Sequence, residues 1–398
     1  MESYIVDWLN LGVRWLHFVA GIAWIGASLY FVMLDLSLKP PKRPEDTTRG
    51  VAGELWAVHG GGFYVSQKFL VGPKGEPLSE DLHWSKWEAY TTWLSGMALL
   101  AIIYWWGANA YLIDRSVMDL SVPAAIAISA GSFVVGWFVY DALCKTIKND
   151  LVLSLIIYVL LVAAAWGYSQ VFGARAAYIH VGVLIGTIMV WNVFFQIIPG
   201  QKQMVAEIRA GRDPDPTPGI IGKQRSVHNT YFTLPVVFIM ISNHYPMTYG
   251  HKYGWAILAV LMLAGALIRQ YFVLRHVGKN LVALPAAAAV MLLGLVIAIA
   301  PPSRPTGAAT AGVPFVKVQP IIQERCTVCH AAKPTFAGFA QSPGGLLLDT
   351  PEQIQAAAQR IHQQTIATQA MPIGNLTKMT DEERQLLGKW LAEGASIK

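Results

Sequence analysis

Eight long apolar stretches dominate this sequence and limit what it can fold into. They lie at about 11–33, 89–112, 122–143, 151–171, 177–199, 230–247, 253–274 and 281–300. Most reach the roughly 20 residues that an α-helix needs to cross a bilayer core about 30 Å thick. Lipid offers the backbone no hydrogen-bond partners, so a spanning segment of this kind is expected to be helical. The sixth stretch is the least regular, because Pro235, Asn243, His244 and Pro246 interrupt it. Hydrophobic residues make up 54% of the chain and charged residues only 14%, too apolar for an ordinary soluble protein. The pattern predicts an all-α integral membrane protein, with an eight-helix bundle over residues 1–300.

Charge placement gives the bundle an orientation. The second, fourth and sixth connections carry little positive charge: Arg115, Arg175 and Lys252. The odd connections are basic, with Lys39, Lys42, Arg43, Arg49, Lys68, Lys74 and Lys86 in the first. Lys145 and Lys148 lie in the third, Lys202, Arg209, Arg212, Lys223 and Arg225 in the fifth, and Arg275 and Lys279 in the seventh. Basic loops stay cytoplasmic, so both termini are expected outside. The net charge of +6 then belongs to inner-face loops and calls for no nucleic-acid partner. Met1–Asn10 contains Glu2 and Asp7 and no basic run, so the first stretch reads as an anchor and not as a cleaved signal.

A different signal sits near the C-terminus. Cys326-Thr327-Val328-Cys329-His330 is a C-x-x-C-H run, the attachment pattern of a c-type haem. Its thiols would form thioethers with the porphyrin, and His330 would reach the iron. Cys144 is the only other cysteine, so no second C-x-x-C exists to complete a tetrahedral zinc site. No βαβ context supports a thioredoxin-like dithiol either. Met371 is the expected sixth ligand, with Met379 as its rival, because a Met opposite His raises the potential. Thr380-Asp381-Glu382-Glu383 reads as a capping box for a terminal helix that runs to about Gly394. Haem attachment takes place outside the membrane, the side that the charge pattern gives the C-terminus. Residues 301–315, rich in proline and glycine, read as a linker, and 316–398 as a small all-α cytochrome c domain.

Several polar residues stand out inside this apolar frame. The connection at about 34–88 is long enough to carry function. It holds Trp56, then His59-Gly60-Gly61-Gly62-Phe63-Tyr64, and Tyr64–Leu70 with its return past Gly72–Gly75 reads as a short hairpin. The glycine run is either a turn or a place where backbone approaches a ligand, and the aromatics beside it would stack on a planar heterocycle. Ionisable groups at or within the spans are Arg14, Asp35, Glu88, Asp141 and Arg269. Asp35 and Asp141 read as snorkelling side chains, and Glu88 faces the inner side. The histidines fall into an outer tier of His17, His180 and His244 and an inner tier of His59, His83, His228 and His276. His17 and His180, with His244 in reserve, form the best pair for a b-type haem within the membrane.

Taken together, these residues resemble the bacterial membrane-bound urate oxidase (urate hydroxylase) family. The resemblance rests on Arg14-Trp15-Leu16-His17-Phe18, Gly21–Gly26, His59–Tyr64, Lys86–Trp93, His228-Asn229-Thr230-Tyr231, Ser242–Pro246, Cys326–His330 and Met371–Asn375. It covers nearly the whole chain. It implies a multi-pass protein of the bacterial inner membrane with periplasmic termini. It implies urate as substrate and 5-hydroxyisourate as product, with electrons passing through the c-type haem to a soluble or membrane cytochrome c or a terminal oxidase. Lipid is the other expected partner. On this reading Arg225 or Arg269 holds the urate charge, Trp56, Phe63 and Tyr64 stack on the ring, and His59, His228 or Glu88 takes a proton. A non-catalytic electron relay, an oxidase of another small molecule or quinol, and a redox-gated transporter remain open on the residues alone.

Overall fold

A computed structural model describes residues 2–300, 312–336, 339 and 341–397. Residues 301–311 of the expected linker lie outside the described residues. The chain is mostly helical. It opens with α1 (Glu2–Ser37) and a short α2 (Pro44–Thr48), followed by strands β1 (Val51–His59) and β2 (Gly62–Phe69). Next come α3 (Trp87–Leu100) and α4 (Ala108–Tyr111), then α5 (Val122–Thr146), α6 (Asp150–Ser169) and α7 (Ala174–Trp191). The remaining bundle helices are α8 (Ile198–Arg209), α9 (Thr217–Ser242), α10 (Pro246–Tyr249), α11 (Gly254–His276) and α12 (Ala283–Ala298). The C-terminal segment holds α13 (Phe315–Arg325), α14 (Pro351–Ala356), α15 (Ala358–Ile361) and α16 (Asp381–Ala392).

Each of the eight apolar stretches falls on helix. Among the described residues, five segments are long and apolar enough to cross a membrane: Tyr4–Ser37, Val122–Thr146, Asp150–Ser169, Ala174–Arg209 and Gly254–His276. α12 is apolar but shorter. The second stretch is broken. α3 passes into a π-helical turn at Ala101–Trp105, and Gly107 separates that turn from α4. The sixth is displaced. α9 begins at Thr217 and ends at Ser242, well before the expected 230–247 window closes. Hydropathy had excluded Lys223 and Arg225 from this span, yet Arg225 is buried because a carboxylate on another helix compensates it.

α7 is the centre of the bundle. Most side chains from Ala176 to Val190 are buried, packed by α3, α5, α6, α9 and α11. α1 lies outside this layer against α3 and leaves Trp8, Trp15, Phe18 and Ile22 exposed. Such an apolar face suits lipid contact.

The two strands depart from an all-α reading, and their hairpin is not where the sequence placed it. β1 pairs antiparallel with β2, with His59 opposite Gly62. The turn is therefore Gly60-Gly61, with φ of 58° and 81°. A two-residue hairpin turn of the I′ kind needs positive φ at both central positions, which glycine adopts freely. The glycine run makes this turn, and Gly72–Gly75 follows after β2. Asp35, read as snorkelling, is instead paired with Lys68 of β2.

The C-terminal segment has its own apolar core of Phe315, Val318, Ile322, Leu348, Ile354, Ile361, Leu387, Trp390 and others. The capping box forms as expected: Glu383 N–H donates to Thr380 Oγ1 at 3.2 Å, and Thr380 N–H donates to Glu383 Oε2 at 2.8 Å. A cap of this kind is worth about 1 kcal/mol. Gly394 follows the helix with φ of 100°, in keeping with its expected place at the helix end. Arg325, directly before Cys326, holds Glu383 with Nε at 3.0 Å from Oε2 and Nη2 at 2.9 Å from Oε1. That bidentate pair ties the end of α13, and so the start of the C-x-x-C-H run, to the first turn of α16.

Candidate functional site

A polar cluster lies inside the bundle near the end that carries the basic connections. Three elements build it. The last turns of α5 supply Tyr140, Asp141 and Cys144. The π-helical turn that continues α7, Asn192–Ile197, supplies Asn192 and Gln196. The first half of α9 supplies Arg225, His228 and Asn229. Asn192 is the first residue of that wider turn, a form often found at functional sites.

Arg225 is only 1% exposed. Its Nη2 lies 2.6 Å from Asp141 Oδ1, and its guanidinium carbon sits 5.1 Å over the Tyr140 ring. Asp141 also pairs with Lys145 at 2.6 Å and accepts from Gln196 Nε2 at 3.2 Å. The expectation that Asp141 snorkels is therefore corrected: the side chain turns inward to neutralise a buried cation.

Hydrogen bonds fix the orientation of the amides. Asn229 Nδ2 donates to the Met189 carbonyl at 3.0 Å, so Asn229 Oδ1 faces Asn192 Nδ2 at 3.1 Å. Asn192 Nδ2 also donates to the Tyr140 hydroxyl oxygen at 2.9 Å. The Tyr140 hydrogen then points to His228 Nδ1, 2.8 Å away, which makes neutral His228 the Nε2–H tautomer. Cys144 Sγ lies 3.8 Å from the same nitrogen. This arrangement leaves Arg225 Nε and Nη1 as buried donors and Asn192 Oδ1 as a buried acceptor, with no hydrogen-bond partner among the described residues. Orphaned groups of this kind are costly, roughly 1–3 kcal/mol each, and they match a ligand that offers anionic or carbonyl oxygen and an N–H together.

Arg225 and His228 were thus singled out from the sequence and are brought together, while Tyr140, Asn192, Asn229 and Cys144 were missed. Two amides in apolar surroundings, Asn192 and Asn229, were the available signal. Arg269 on α11 is also buried, 4% exposed, with Nε and Nη2 unpartnered. Its neighbour Gln270 accepts from the Tyr231 hydroxyl. The hairpin residues are elsewhere. Trp56 and Phe63 share one strand face with Val58 and Val65, all exposed, and Tyr64 is exposed on the other face. His59 ends β1 and is exposed. Glu88 lies in the first turn of α3, half-buried. Among the described residues no hydrogen bond or ion pair joins these hairpin residues or Glu88 to the Arg225 cluster.

The outer histidines are not gathered. His17 Nδ1 lies 2.9 Å from the Thr92 carbonyl, in the groove between α1 and α3. His180 is fully buried among Phe133, Tyr168 and Phe172. Its Nδ1 donates to the Ala176 carbonyl at 2.8 Å and its Nε2 meets Ser129 Oγ at 2.8 Å. Both ring nitrogens are engaged in hydrogen bonds. His244 is exposed in the turn after α9.

The C-x-x-C-H residues fit a covalent haem. His330 Nδ1 donates to the Leu346 carbonyl at 3.2 Å, which orients the ring and leaves Nε2 free as a ligand. Cys326 and Cys329 are both free thiols. Burial pushes the Cys326 thiol up to about 12 and also raises Cys329. Met371 is half-buried in a loop whose carbonyl accepts from Arg384 Nη1 at 3.0 Å, whereas Met379 is part of the domain's apolar core.

Comparison with known proteins matches residues 3–300 to a family described as urate oxidase, N-terminal. Searches of curated proteins and of solved structures returned no match.

Proposed function

The chain belongs to the urate oxidase N-terminal family, and from that premise we propose that it oxidises urate to 5-hydroxyisourate and passes the electrons to the respiratory chain through its C-terminal domain. The reaction balances as urate plus water giving 5-hydroxyisourate, two protons and two electrons. Cys326 and Cys329 would hold a c-type haem, with His330 and Met371 as its ligands, and that group would supply a one-electron acceptor in place of oxygen.

The observation that carries this reading is the buried Arg225 with two unpaired nitrogens beside the Tyr140–His228 pair. Urate is a planar anion near neutral pH, with lactam carbonyls and N–H groups around both rings. Arg225 Nε or Nη1 would donate to one of its anionic oxygens, and Asn192 Oδ1 would accept one of its N–H groups. Tyr140 stacks beneath the guanidinium and holds His228 in one tautomer, so that His228 can accept a proton as the substrate loses electrons. Asp141 takes Arg225 Nη2 and leaves Nε and Nη1 as separate donors.

The membrane arrangement proposed is eight crossings with both termini periplasmic, in the bacterial inner membrane. Two contacts support it. Thr368 and Gly374 of the C-terminal segment lie against Gly250 and Ile113, which belong to the sixth and second connections, both poor in positive charge. The C-terminal domain thus rests on the face that the charge rule places outside, and the Arg225 cluster lies towards the opposite face. Domain limits of 1–300, 301–315 and 316–398 go with this reading, as do lipid and an external cytochrome c or terminal oxidase as partners. The test is anaerobic mixing of the purified full chain with urate, followed at the c-haem absorption band. Reduction of the haem is expected, and an oxidised spectrum that persists would overturn the proposal.

A further inference from the structure

The bundle and the C-terminal segment meet backbone to backbone. A Cβ on Gly250 would overlap the carbonyl oxygen of Thr368 and lie 3.1 Å from its carbonyl carbon. A Cβ on Gly374 would lie 2.9 Å from the Ile113 carbonyl oxygen and 3.5 Å from that of Ala110. Gly250 has an ordinary φ of −78°, so its own conformation does not demand glycine. The neighbouring chain does, together with the Pro246 carbonyl that its N–H caps at 2.8 Å.

These two contacts bracket Met371. Thr368 is buried, and Ala370 packs against the apolar core of the bundle. The loop carrying the proposed sulfur ligand is therefore pressed onto α4 and the turn after α10. Tyr111, the last residue of α4, lies two residues before Ile113, whose carbonyl meets Gly374. Arg175 sits with its guanidinium carbon 5.6 Å over the Tyr111 ring. Tyr111 is 6.4 Å from Tyr104, and Tyr104 is 6.2 Å from His180, centroid to centroid. A packed row of rings thus runs from this contact into the bundle.

We propose that the 368–375 loop, seated on 109–113 and Gly250, is the port through which electrons enter the C-terminal domain, with Tyr111 and Tyr104 as the packed bridge leading to it. This rests on the reading that the bundle oxidises a substrate and the C-x-x-C-H run holds a haem. The Arg225 cluster is distant: Tyr140 lies about 27 Å along α5 from Val122 at 1.5 Å per residue. Electron transfer weakens exponentially with separation, so a fixed, gap-free contact is worth more than a domain swinging on its tether. With a haem held by the C-x-x-C-H run, which would supply a one-electron acceptor, the two electrons of the substrate would cross the contact one at a time.

Two variants of the full haem-loaded chain test this. Gly250→Ala is expected to retain covalent haem, dithionite reduction and the parent's potential. Hydrogen exchange at 366–376 and 108–113 is expected to rise, and haem reduction after urate mixing to slow at least tenfold. Tyr111→Ala leaves both glycine contacts in place. It is expected to slow the same step with loop exchange unchanged, which separates transfer from folding. Parent-rate reduction in Gly250→Ala despite raised exchange, or in Tyr111→Ala, would overturn the port. Unchanged exchange in Gly250→Ala would show that these contacts do not seat the loop. If the parent haem fails to respond to urate while dithionite still reduces it, the functional reading fails on its own, and the exchange comparison still decides the seating.

Discussion

Replacing Asp141 by Asn tests the electrostatics of the cluster most directly. The side chains of Arg225 and Asp141 are 2% and 8% exposed, and their charged atoms are 2.6 Å apart. Removing one partner of a buried ion pair costs about 3–5 kcal/mol, because the other charge is left uncompensated. The Asn amide oxygen can still accept from Arg225 Nη2 and Gln196 Nε2, so the lower end, about 3 kcal/mol, is expected. Lys145 is 65% exposed, and solvent screens it, so Lys145→Met is expected to cost under about 1 kcal/mol. The double variant Asp141→Asn/Arg225→Met removes the orphaned charge and is expected to return to within about 1 kcal/mol of the parent. Denaturant titration of the four proteins in one detergent measures these differences. The reasoning is refuted if Asp141→Asn matches the parent, or if the double variant is no more stable than Asp141→Asn.

Three other outcomes are expected. His228→Ala should slow urate-driven haem reduction by about 10²-fold, the lower end for a lost general base, and Tyr140→Phe should slow it less with urate binding retained; stopped-flow reduction and equilibrium binding separate the two effects. Met371→Ala should keep the covalent haem but lower its potential in a redox titration, whereas Met379→Leu should leave the potential unchanged; the reverse would exchange the ligand assignment. The hydrogen bonds from Arg325 hold the Glu383 carboxyl below its ordinary value, so its stabilising contribution is complete above about pH 4.3 and disappears as the pH falls through the lower folded value. Glu383→Gln should flatten that acid limb when unfolding of the C-terminal domain is followed by Trp390 fluorescence.

Much of the fold can be read in the sequence because it is local. Apolar runs of membrane length locate helices but not their continuity or limits: α3 gives way to a π-helical turn at Ala101 and the stretch breaks again at Gly107, and α9 starts early enough to include Arg225. The Thr380–Glu383 capping box closes over three residues, and the Gly60-Gly61 turn joins immediate neighbours. The hairpin was misplaced because two glycine clusters compete for the turn, and only strand pairing selects between them.

The site divides along the same line. Cys326, Cys329 and His330 can be nominated together because they form one contiguous C-x-x-C-H motif. Arg225 and His228 could be nominated, but nothing near them in the chain identifies Asp141 or Tyr140 as their partners, 84 and 88 residues away. Burial was equally illegible: Asp141 near a span end is consistent with snorkelling until α9 brings a cation to it. The seating of Thr368 on Gly250 depends in turn on how two packed units meet. The sequence by itself determined the helices, their caps and the C-x-x-C-H run, because bonds between near neighbours and the exclusion of apolar side chains from water need only short-range order. The tertiary structure decided which buried charges are compensated and which backbones touch, because both follow from the packing of helices distant along the chain.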